Sequence, residues 1–357
     1  MKKTIICSLF LAASTIAAVA QQLPNSKCED WSRTYNGDPQ PAAWNGSNVT
    51  QVGLKFTFVY PKPGRSGQCM YVADREVGAM GITETAPGYI SLGQPWQFLK
   101  GLNVKGATAG TEGGIDWTYR PDTMSVWIKR TGDFTRKEDF HLLYYSWIGT
   151  AKGSKYKNKA GKYTETPRIN EESDIRRATD GNEFGTDQEV PQVAEGWYRA
   201  RARYNEWTQI KVPIFYNDDR KPTMCNVIFS AGNYPAFRAN DGLYAGNALF
   251  IDDIELIYSS RIDKLTINGK EWAEFNPNSE DVQTYTLKGA QNIKIEGFRG
   301  IGSLTNIKGE TAQFKGRKLD SKEMTITPGT VNGKPWIITV KAEDGSSKHV
   351  YKIAIKG

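Results

Sequence analysis

Short segments in which apolar and polar residues alternate constrain the fold of this chain more than any other sequence feature. Such a period of two is typical of strands with one buried face, whereas an amphipathic helix repeats every ~3.6 residues. The alternating segments, separated by Gly, Pro, Asn and Asp, are Leu54–Tyr60, Asp122–Lys129, Asp139–Ile148, Trp207–Ile214, Thr223–Phe229 and Leu249–Tyr258. No window of helical period is long enough for a major helix, so the sequence predicts an all-β fold.

The segment Leu249–Tyr258 carries one carboxylate where strand periodicity expects an apolar side chain. Phe250 and Ile254 share the parity of Asp252, so strict alternation would turn this carboxylate toward the core. A buried carboxylate is costly unless hydrogen bonds or a metal ion satisfy it, and a bulge in the strand would move it to the other face. The sequence therefore predicts a structural carboxylate or an ion site at Asp252.

The first twenty residues have the composition of a secretory leader. Two lysines precede an apolar stretch that ends at Ala18-Val19-Ala20, which predicts a signal peptide over residues 1–20 with cleavage between Ala20 and Gln21. This stretch is too short for a transmembrane helix, and no later segment reaches about 18 uninterrupted apolar residues. We therefore expect a periplasmic, secreted or cell-surface protein without a transmembrane segment, with a surface lipoprotein as the alternative.

The cysteines are too few for a disulfide framework. Cleavage of the leader would leave Cys28, Cys69 and Cys225, and an odd count allows at most one internal disulfide. Cys69 and Cys225 lie in apolar runs, which favours buried thiols. The sequence contains no CxxC, so a zinc ribbon and a thioredoxin-type motif are both excluded.

The charge balance gives no indication of a nucleic-acid partner. The formal net charge is +7, and it falls to +5 when Lys2 and Lys3 leave with the predicted leader. Such an excess is mild for a chain of this length, so we expect no nucleic acid. The densest basic stretch, residues 152–162, is followed by acidic residues and is interpreted as a solvated loop rather than an anion site.

Composition changes near Ser259-Ser260, which predicts two β domains over residues 21–258 and 259–357. Residues 21–258 hold eight of the ten tryptophans and fifteen of the seventeen tyrosines. Residues 259–357 contain short strand-like segments and a two-residue turn signal at Asn268-Gly269, a pattern typical of an immunoglobulin-like sandwich. The long polar segment from Thr150 to Gly196 is interpreted as a functional or mobile loop.

Several motifs in the first predicted domain occur in an order that is known from one family. They are Cys28-Glu29-Asp30-Trp31, Pro41-Ala42-Ala43-Trp44-Asn45, Pro87–Gly93, Arg120-Pro121 and Ile251-Asp252-Asp253-Ile254. In this order, residues 25–258 resemble the jelly-roll carbohydrate metabolism domain family of secreted proteins from glycan-degrading bacteria. The resemblance implies a jelly-roll β-sandwich, similar to galactose-binding domains, that binds carbohydrate.

The same resemblance implies a structural calcium ion near Glu29 and Asp252. In jelly rolls of this type the first and last strands lie close together, and a calcium ion often sits beside them. Calcium takes about six to eight oxygen ligands, many of them backbone carbonyls, so a sequence reveals only part of such a site. A hydrogen-bonded carboxylate without a metal is the alternative.

The second predicted domain has a resemblance of its own. Residues 262–357 resemble a bacterial immunoglobulin-like, cadherin-like sandwich, on the segments Leu265–Lys270, Phe275-Asn276-Pro277, Val340–Gly345 and Tyr351-Lys352-Ile353. Modules of this kind are generally spacers or partner-binding units. The resemblance therefore implies no catalysis and a surface for a protein partner in this domain.

Aromatic residues supply the candidates for a sugar-binding platform, because sugar rings present apolar C–H faces that stack on flat side chains. The predicted carbohydrate-binding residues are Trp117, Tyr119, Trp147 and Trp197. Trp147 and Trp197 flank the long polar segment, while Trp117 and Tyr119 share a parity and would line one face of a strand. Core packing is the alternative for any tryptophan, and it is favoured for Trp127 and Trp207, which lie in regular alternating strands.

Evidence for an enzyme is weaker. Glycoside hydrolysis needs two carboxylates about 5–9.5 Å apart, and the candidates Asp116, Glu195, Glu206 and Asp219 cannot be positioned from the sequence. The chain has no GxSxG, HExxH or GxxxxGK[ST] motif, which disfavours serine hydrolases, zinc proteases and nucleotide enzymes. The sequence thus favours an exported, non-catalytic protein that binds a poly- or oligosaccharide. A glycoside hydrolase and an adhesin-like protein are the alternatives.

Overall fold

A computed structural model describes most of the chain, and within the described part it contains strands and no helix. The described residues are 21–34, 36–51, 53–79, 81–100, 103–133, 137–148, 156–157, 163–164, 192–218, 220–232, 243–267, 269–286, 291–305, 311–316, 322–326 and 335–356. The all-β prediction is confirmed. None of these residues belongs to a helix capable of crossing a bilayer. The predicted signal peptide, and most of the segment Thr150–Gly196 with its lysine cluster, lie outside them.

The described residues between 21 and 258 form twenty-two strands. They are β1 (Trp31–Arg33), β2 (Pro39–Pro41), β3 (Asn45–Gly46), β4 (Val49–Gln51), β5 (Leu54–Phe56), β6 (Val59–Pro63), β7 (Gln68–Ala73), β8 (Arg75–Ala79), β9 (Ile82–Ala86), β10 (Tyr89–Ser91), β11 (Gln94–Lys100), β12 (Asn103–Glu112), β13 (Ile115–Asp116), β14 (Thr123–Arg130), β15 (Phe140–Trp147), β16 (Tyr156–Lys157), β17 (Tyr163–Thr164), β18 (Gln192–Ala200), β19 (Tyr204–Pro213), β20 (Phe215–Tyr216), β21 (Met224–Ser230) and β22 (Ala248–Ile257).

Two of the sheets pack face to face and form a β-sandwich. One has five strands in the order β19-β14-β22-β7-β6, all antiparallel. The other has seven strands in the order β20-β18-β15-β21-β10-β3, with β13 also paired to β21. Inward-facing side chains of both sheets form one hydrophobic core, for example Val126 and Ile128 of β14 against Leu142 and Tyr144 of β15.

The last strand of this sandwich, β22, contains a bulge that decides where its acidic residues point. Ser125 of β14 is opposite Glu255, but Trp127 is opposite Asp252, so β22 has one extra residue between these pairs. Asp253 has a positive φ of 43° in this bulge. The bulge resets the alternation, since Leu249 and Ile251 face the core before it and Ile254 and Leu256 after it. Strict alternation, which placed Phe250 and Asp252 on the core face, is therefore wrong.

Other sequence predictions within the first sandwich can also be compared with the strands. The segment Leu54–Tyr60 is not one strand, because β5 ends at Phe56 and β6 begins at Val59. Thr57 and Phe58 form the break, and Asn48 Oδ1 accepts the backbone N–H groups of Phe58 and Val59 across it. Cys28, Cys69 and Cys225 are buried free thiols.

Residues 261–356 form a second, smaller all-β unit. Its strands are β23 (Arg261–Ile267), β24 (Lys270–Glu271), β25 (Val282–Thr286), β26 (Gln291–Thr305), β27 (Thr311–Gly316), β28 (Lys322–Ile326), β29 (Trp336–Lys341) and β30 (Lys348–Lys356). The strand order is β24-β23-β26-β29-β30-β25, and β27 and β28 also pair with β26. The long strand β26 pairs with β23 through its first part and with β29 through its second, with Gly300 at φ 111° between them.

Each unit has a hydrophobic cluster of its own. The cluster of the second unit is built from Ile262, Leu265, Ile267, Trp272, Phe275, Ile338, Val340, Tyr351 and Ile353. The cluster of the first unit extends along the chain to Tyr258 and includes Ala342 from the second unit. Tyr258 precedes Ile262, the first residue of the second cluster, and the predicted domain boundary at residue 259 stays a prediction.

Candidate functional site

Three aromatic side chains follow one another in register across the outer face of the five-stranded sheet, on the side away from the core. Tyr60 of β6 is opposite Tyr71 of β7, and Tyr71 is opposite Phe250 of β22. Phe250 is opposite Lys129 of β14. Trp207 is on β19, the far edge strand, and its ring contacts Phe250. We call Tyr60, Tyr71, Phe250 and Trp207 the aromatic row.

The rings of the aromatic row contact each other in sequence. The ring centroids of Tyr60 and Tyr71 are 4.7 Å apart, and those of Tyr71 and Phe250 are also 4.7 Å apart. The Phe250 and Trp207 centroids are 6.4 Å apart with an edge-to-face angle of 82°. Offset and edge-to-face pairs of this kind hold each other in place with about 0.5–1.5 kcal/mol per pair. All four side chains are half-buried, so part of each ring stays accessible to solvent.

Strand alternation explains why these rings face outward. Their immediate neighbours Val59, Val72 and Ile251 are fully buried and point into the core. Since successive side chains of a strand point to opposite faces, Tyr60, Tyr71 and Phe250 must point away from it. Burial and the neighbouring Tyr60 raise the pKa of Tyr71 to about 12. The Tyr71 hydroxyl is therefore neutral near pH 7 and can both donate and accept hydrogen bonds.

Cations surround the Tyr60 end of the row. Lys62 Nζ lies 5.4 Å from the centroid of the Tyr60 ring and 5.6 Å from that of Tyr71. Arg75 Nη2 donates a hydrogen bond of 3.1 Å to the Tyr60 hydroxyl, and its guanidinium lies 5.9 Å from the ring centroid. Both contacts fall within the range of cation–π interactions, which fixes the two cations beside the rings.

The loop between β6 and β7 covers the neighbouring part of the same outer face. Its Arg65 guanidinium lies over the Trp127 ring, 3.7 Å from the centroid, and forms an ion pair with Asp253. The Arg65 backbone N–H donates to Asp252 Oδ2 over 2.8 Å, and the Gln68 N–H donates to Glu29 Oε2 over 2.9 Å. Two carboxylates thus hold the loop against the sheet.

Glu29 and Asp252, the predicted calcium ligands, both accept backbone hydrogen bonds at the loop between β6 and β7. Asp252 Oδ1 accepts the Asp253 N–H over 2.8 Å, so both oxygens of this buried carboxylate already have hydrogen-bond donors. Burial raises the pKa of Asp252, and the two backbone N–H groups oppose that shift. Among the described residues no third His, Cys, Asp or Glu joins them in a metal-binding group. The donor set fits the hydrogen-bonded alternative better than calcium, and calcium here stays a prediction.

Two of the predicted sugar-binding residues are buried. Trp117 and Trp147 are each only 1% exposed, and Trp117 belongs to the core of the sandwich. Trp117 and Tyr119 do contact each other, with centroids 5.9 Å apart, and Tyr119 also contacts Tyr258. They lie after the end of β13 and not on one face of a strand, so that part of the prediction is wrong. Neither buried tryptophan presents an open ring face in this conformation.

Trp197, the remaining predicted residue, is 53% exposed on the outer face of the seven-stranded sheet. Phe215 of β20 is 61% exposed and is opposite Glu195, two residues from Trp197 on β18. Arg199 lies 5.5 Å from the centroid of the Trp197 ring. Trp197 and Phe215 therefore form a second, smaller exposed aromatic patch, and the role of all four predicted residues in sugar binding stays a prediction.

The carboxylates considered for glycoside hydrolysis are not brought together. Asp116 is on β13 and Glu195 is on β18, and β21 and β15 lie between these strands. Three strand spacings correspond to about 14 Å between backbones, which exceeds the separation of a catalytic pair. Glu206 is on β19 in the other sheet, and Asp219 lies outside the described residues.

One pair of carboxyl groups is in contact, but it is buried. Asp74 and Glu138 are 0% and 1% exposed, and Arg130 and Asn247 pack beside them, also buried. Burial first, and the Glu138 charge second, raise the pKa of Asp74 well above its ordinary value. Asp74 Oδ1 accepts the Gly88 N–H over 2.7 Å, and Glu138 Oε2 accepts from the Asn247 amide over 2.9 Å. Because Asp74 and Glu138 are closed off from solvent, we interpret this pair as structural and not as a catalytic pair.

Sequence reasoning missed the aromatic row. Trp207 and Trp127 were assigned to the core because their strands alternate regularly, yet both are half-buried on the outer face. The sequence did contain a signal for the outward position of Trp127. Val126 and Ile128 flank this tryptophan and are fully buried, so Trp127 points to the opposite face of the strand. A strand that carries apolar residues on both faces can expose an aromatic row on one of them.

Comparison with known proteins leaves the family open, since no family model and no curated protein matches the chain. The chain is similar to the solved structure of a candidate glycoside hydrolase from Bacteroides thetaiotaomicron, with 16% identity and a TM-score of 0.38 over 61% of this chain. That match spans 63% of the other protein, which is less than two thirds of its length.

Two further solved structures are similar to the chain at the same distant level. A candidate glycoside hydrolase from Bacteroides vulgatus shows 19% identity and a TM-score of 0.38 over 66% of this chain and 94% of that one. The adhesin domain of Epf from Streptococcus pyogenes shows 9% identity and a TM-score of 0.25 over 84% and 81%. Likenesses of this size do not indicate a function, which must be inferred from the residues themselves.

Proposed function

We propose that the protein is an exported, non-catalytic carbohydrate-binding protein, and that the aromatic row is its glycan-binding surface. The observation that carries this proposal is the row itself, four half-buried rings, each in contact with the next, from one edge of a sheet to the other. Consecutive ring centroids are 4.7, 4.7 and 6.4 Å apart, so the row extends over at most about 16 Å between its end rings, which matches a few consecutive sugar units of a chain.

The chemistry of the row suits sugars better than a purely apolar partner. The accessible parts of the rings can stack on the C–H faces of pyranose units, while Tyr60, Tyr71 and Lys129 provide hydroxyl and ammonium groups for sugar hydroxyls. The rings are held by each other and by a rigid sheet, so little ordering is required when the ligand binds. Half-buried positions also explain how a soluble protein can carry these rings without an extended apolar patch.

Lack of catalysis is part of the proposal. Of the carboxylates considered for hydrolysis, Asp116 and Glu195 are several strands apart and Glu206 is on the other sheet. The contacting pair Asp74–Glu138 is sealed from solvent. A glycoside hydrolase remains the alternative, and incubation with polysaccharides followed by assay of reducing ends separates the two. Release of sugar that is lost when a single carboxylate is replaced would establish the enzyme instead.

The binding test uses a glycan array followed by titration calorimetry of the full chain with the best ligand. Trp207→Ala should weaken binding by at least about tenfold, or about 1.4 kcal/mol, because one of the four stacking rings, a tryptophan, is lost. Trp207→Phe should retain most of the affinity, since it keeps a ring at this position. Leu54→Ala, at an exposed apolar residue outside the row, serves as the control.

Two results would overturn the proposal. If no glycan on the array binds, an adhesin-like protein that recognises another protein becomes the better account. If a glycan binds with equal affinity to wild type and Trp207→Ala, while Trp197→Ala abolishes binding, the ligand occupies the patch of Trp197 and Phe215 instead.

A further inference from the structure

Three cations lie within or beside the aromatic row, and each has a defined place. Lys129 stands in register with Phe250, on the strand between Phe250 and Trp207. Lys62 follows Tyr60 by two residues on β6 and so projects from the same face, close to the Tyr60 and Tyr71 rings. Arg75 binds the Tyr60 hydroxyl from the other side.

In the part of the chain that the structure describes, none of the three cations forms an ion pair. Among the described residues, no carboxylate oxygen lies within 4.0 Å of the side-chain nitrogens of Lys62, Arg75 or Lys129. Arg75 Nε is buried without a hydrogen-bond partner in the same part of the chain. By contrast, Arg65 of the neighbouring loop and Lys27 of the N-terminal segment are both paired with Asp253. The row is therefore a local region of uncompensated positive charge.

We infer that the aromatic row recognises anionic sugars, whose uronate carboxylates or sulfate esters are bound by Lys62 and Arg75 at the Tyr60 end of the row and by Lys129 nearer the Trp207 end. This inference rests on the proposed function, because it names the class of glycan that the same surface takes. Uronates and sulfate esters share one chemical feature, an oxyanion attached to a sugar ring. This oxyanion would lie about one ring width from the sugar face that stacks on the aromatic rings.

The expected preference for anionic sugars follows from the loss of water around the cations when a ligand covers the row. A bound glycan removes water from the cations, and a neutral glycan would leave them without compensation, which is unfavourable. An anionic substituent restores a partner, and hydrogen bonds to charged groups are about twice as strong as neutral ones. The planar Arg75 guanidinium has donors to spare for an oxyanion, because only its Nη2 hydrogen bond to Tyr60 is present among the described residues and Nη1 has no partner there.

The test compares matched polymers that differ only in charge. Polygalacturonate is compared with its methyl ester, and dextran sulfate is compared with dextran, by calorimetry on the full chain at low ionic strength. We expect each anionic polymer that binds to do so at least about tenfold more tightly than its neutral counterpart, and raising the salt to about 0.5 M should reduce this difference. The first pair reports on carboxylates and the second on sulfates.

Variants that remove positive charge then show which residues cause the tighter binding of anionic polymers. The double variant Lys62→Gln with Lys129→Gln should lose at least about tenfold in affinity for the anionic polymer and little for the neutral one. The control is Lys270→Gln with Lys341→Gln, which removes the same net charge from exposed lysines of the second unit. Equal losses in both double variants would show a general effect of net charge and overturn the inference.

The remaining outcomes separate this inference from the proposed function. If neutral and anionic polymers bind equally and Trp207→Ala weakens both, the glycan-binding function stands and the preference for anions is wrong. If no polymer binds, both are wrong. If a single-stranded oligonucleotide binds more tightly than either anionic polymer, the basic aromatic row is a nucleic-acid surface and the inference is overturned.

Discussion

At the scale of single residues, the buried carboxyl pair Asp74–Glu138 couples folding to proton binding. The pKa of Asp74 is raised by burial and by Glu138, so the folded chain keeps a proton that the unfolded chain releases near pH 4. Stability that depends on this proton is fully present below pH ~4 and is lost as the pH rises toward the folded-state pKa. The pair is thus tolerated in the core because one carboxyl remains protonated.

Asp74→Asn should remove this pH dependence. The amide has nearly the same shape, can still accept the Gly88 N–H and can donate to Glu138. We expect the free energy of unfolding of the variant to increase relative to wild type as the pH rises from 4 to 7, measured by denaturant titration at several pH values. Parallel profiles for the two proteins would mean that Asp74 does not hold the proton.

Replacement of Asp252 distinguishes between its two possible roles, a hydrogen-bonded carboxylate and a calcium ligand. Asp252→Asn leaves only one acceptor for the Arg65 and Asp253 N–H groups, so it should destabilise the protein by about 1–3 kcal/mol. The loss should be the same with calcium and after chelation. If calcium raises the melting temperature of wild type but not of the variant, Asp252 binds the ion.

At the scale of elements, the loop between β6 and β7 shows how glycine and carboxylate positions fix a local structure. Gly67 has φ +63° and lies directly against the Glu29 carboxylate, where a Cβ would overlap it. The loop positions Arg65 over Trp127 at 3.7 Å and so closes the outer face beside the aromatic row. Its conformation therefore depends on contacts with both the N-terminal segment and β22.

Gly67→Ala should displace this loop. The variant combines backbone strain at positive φ with the overlap on Glu29, and we expect a loss of about 2–3 kcal/mol in the free energy of unfolding. Gly53→Ala is the matched control, because Gly53 has φ +76° but nothing within 4 Å of a Cβ. If both variants lose the same stability in denaturant titration, the strain alone accounts for it and the Glu29 contact contributes nothing.

Strand alternation predicted β14, β15 and β21 because each has an uninterrupted buried face, and it predicted the second half of β19, where Ile210 and Val212 are buried. It could not predict the bulge at Asp253, which depends on a partner strand that is one residue shorter. Nor could it show that Asp252 is satisfied by the Arg65 N–H, a contact between residues 187 positions apart. Local periodicity identifies strands, whereas their register and bulges are decided by tertiary pairing.

At the scale of the whole molecule, stacking of the sheets determines which aromatic residues are available. All eight residues of β15 are buried, so Trp147 is covered although it stands next to the polar segment that suggested exposure. The five-stranded sheet keeps its outer face partly open, and Trp207 is accessible there. Sequence can supply the aromatic candidates, but exposure depends on which faces of the assembled sandwich are covered.

The two exposed aromatic surfaces, the row and the patch of Trp197 and Phe215, lie on outer faces of different sheets of one sandwich. The row has four contacting rings and three uncompensated cations, whereas the patch has two rings beside Arg199. A longer glycan gains more stacking contacts on the row than on the patch. We therefore assign glycan binding to the row, and this assignment is our central claim.

The most direct test of that claim is a crystal structure of the full chain with an oligosaccharide taken from the best-binding glycan. We predict sugar rings within about 4 Å of the Phe250 and Trp207 rings, with the chain extending toward Tyr60. An oligosaccharide bound to Trp197 and Phe215, or at any place away from the aromatic row, would contradict the claim.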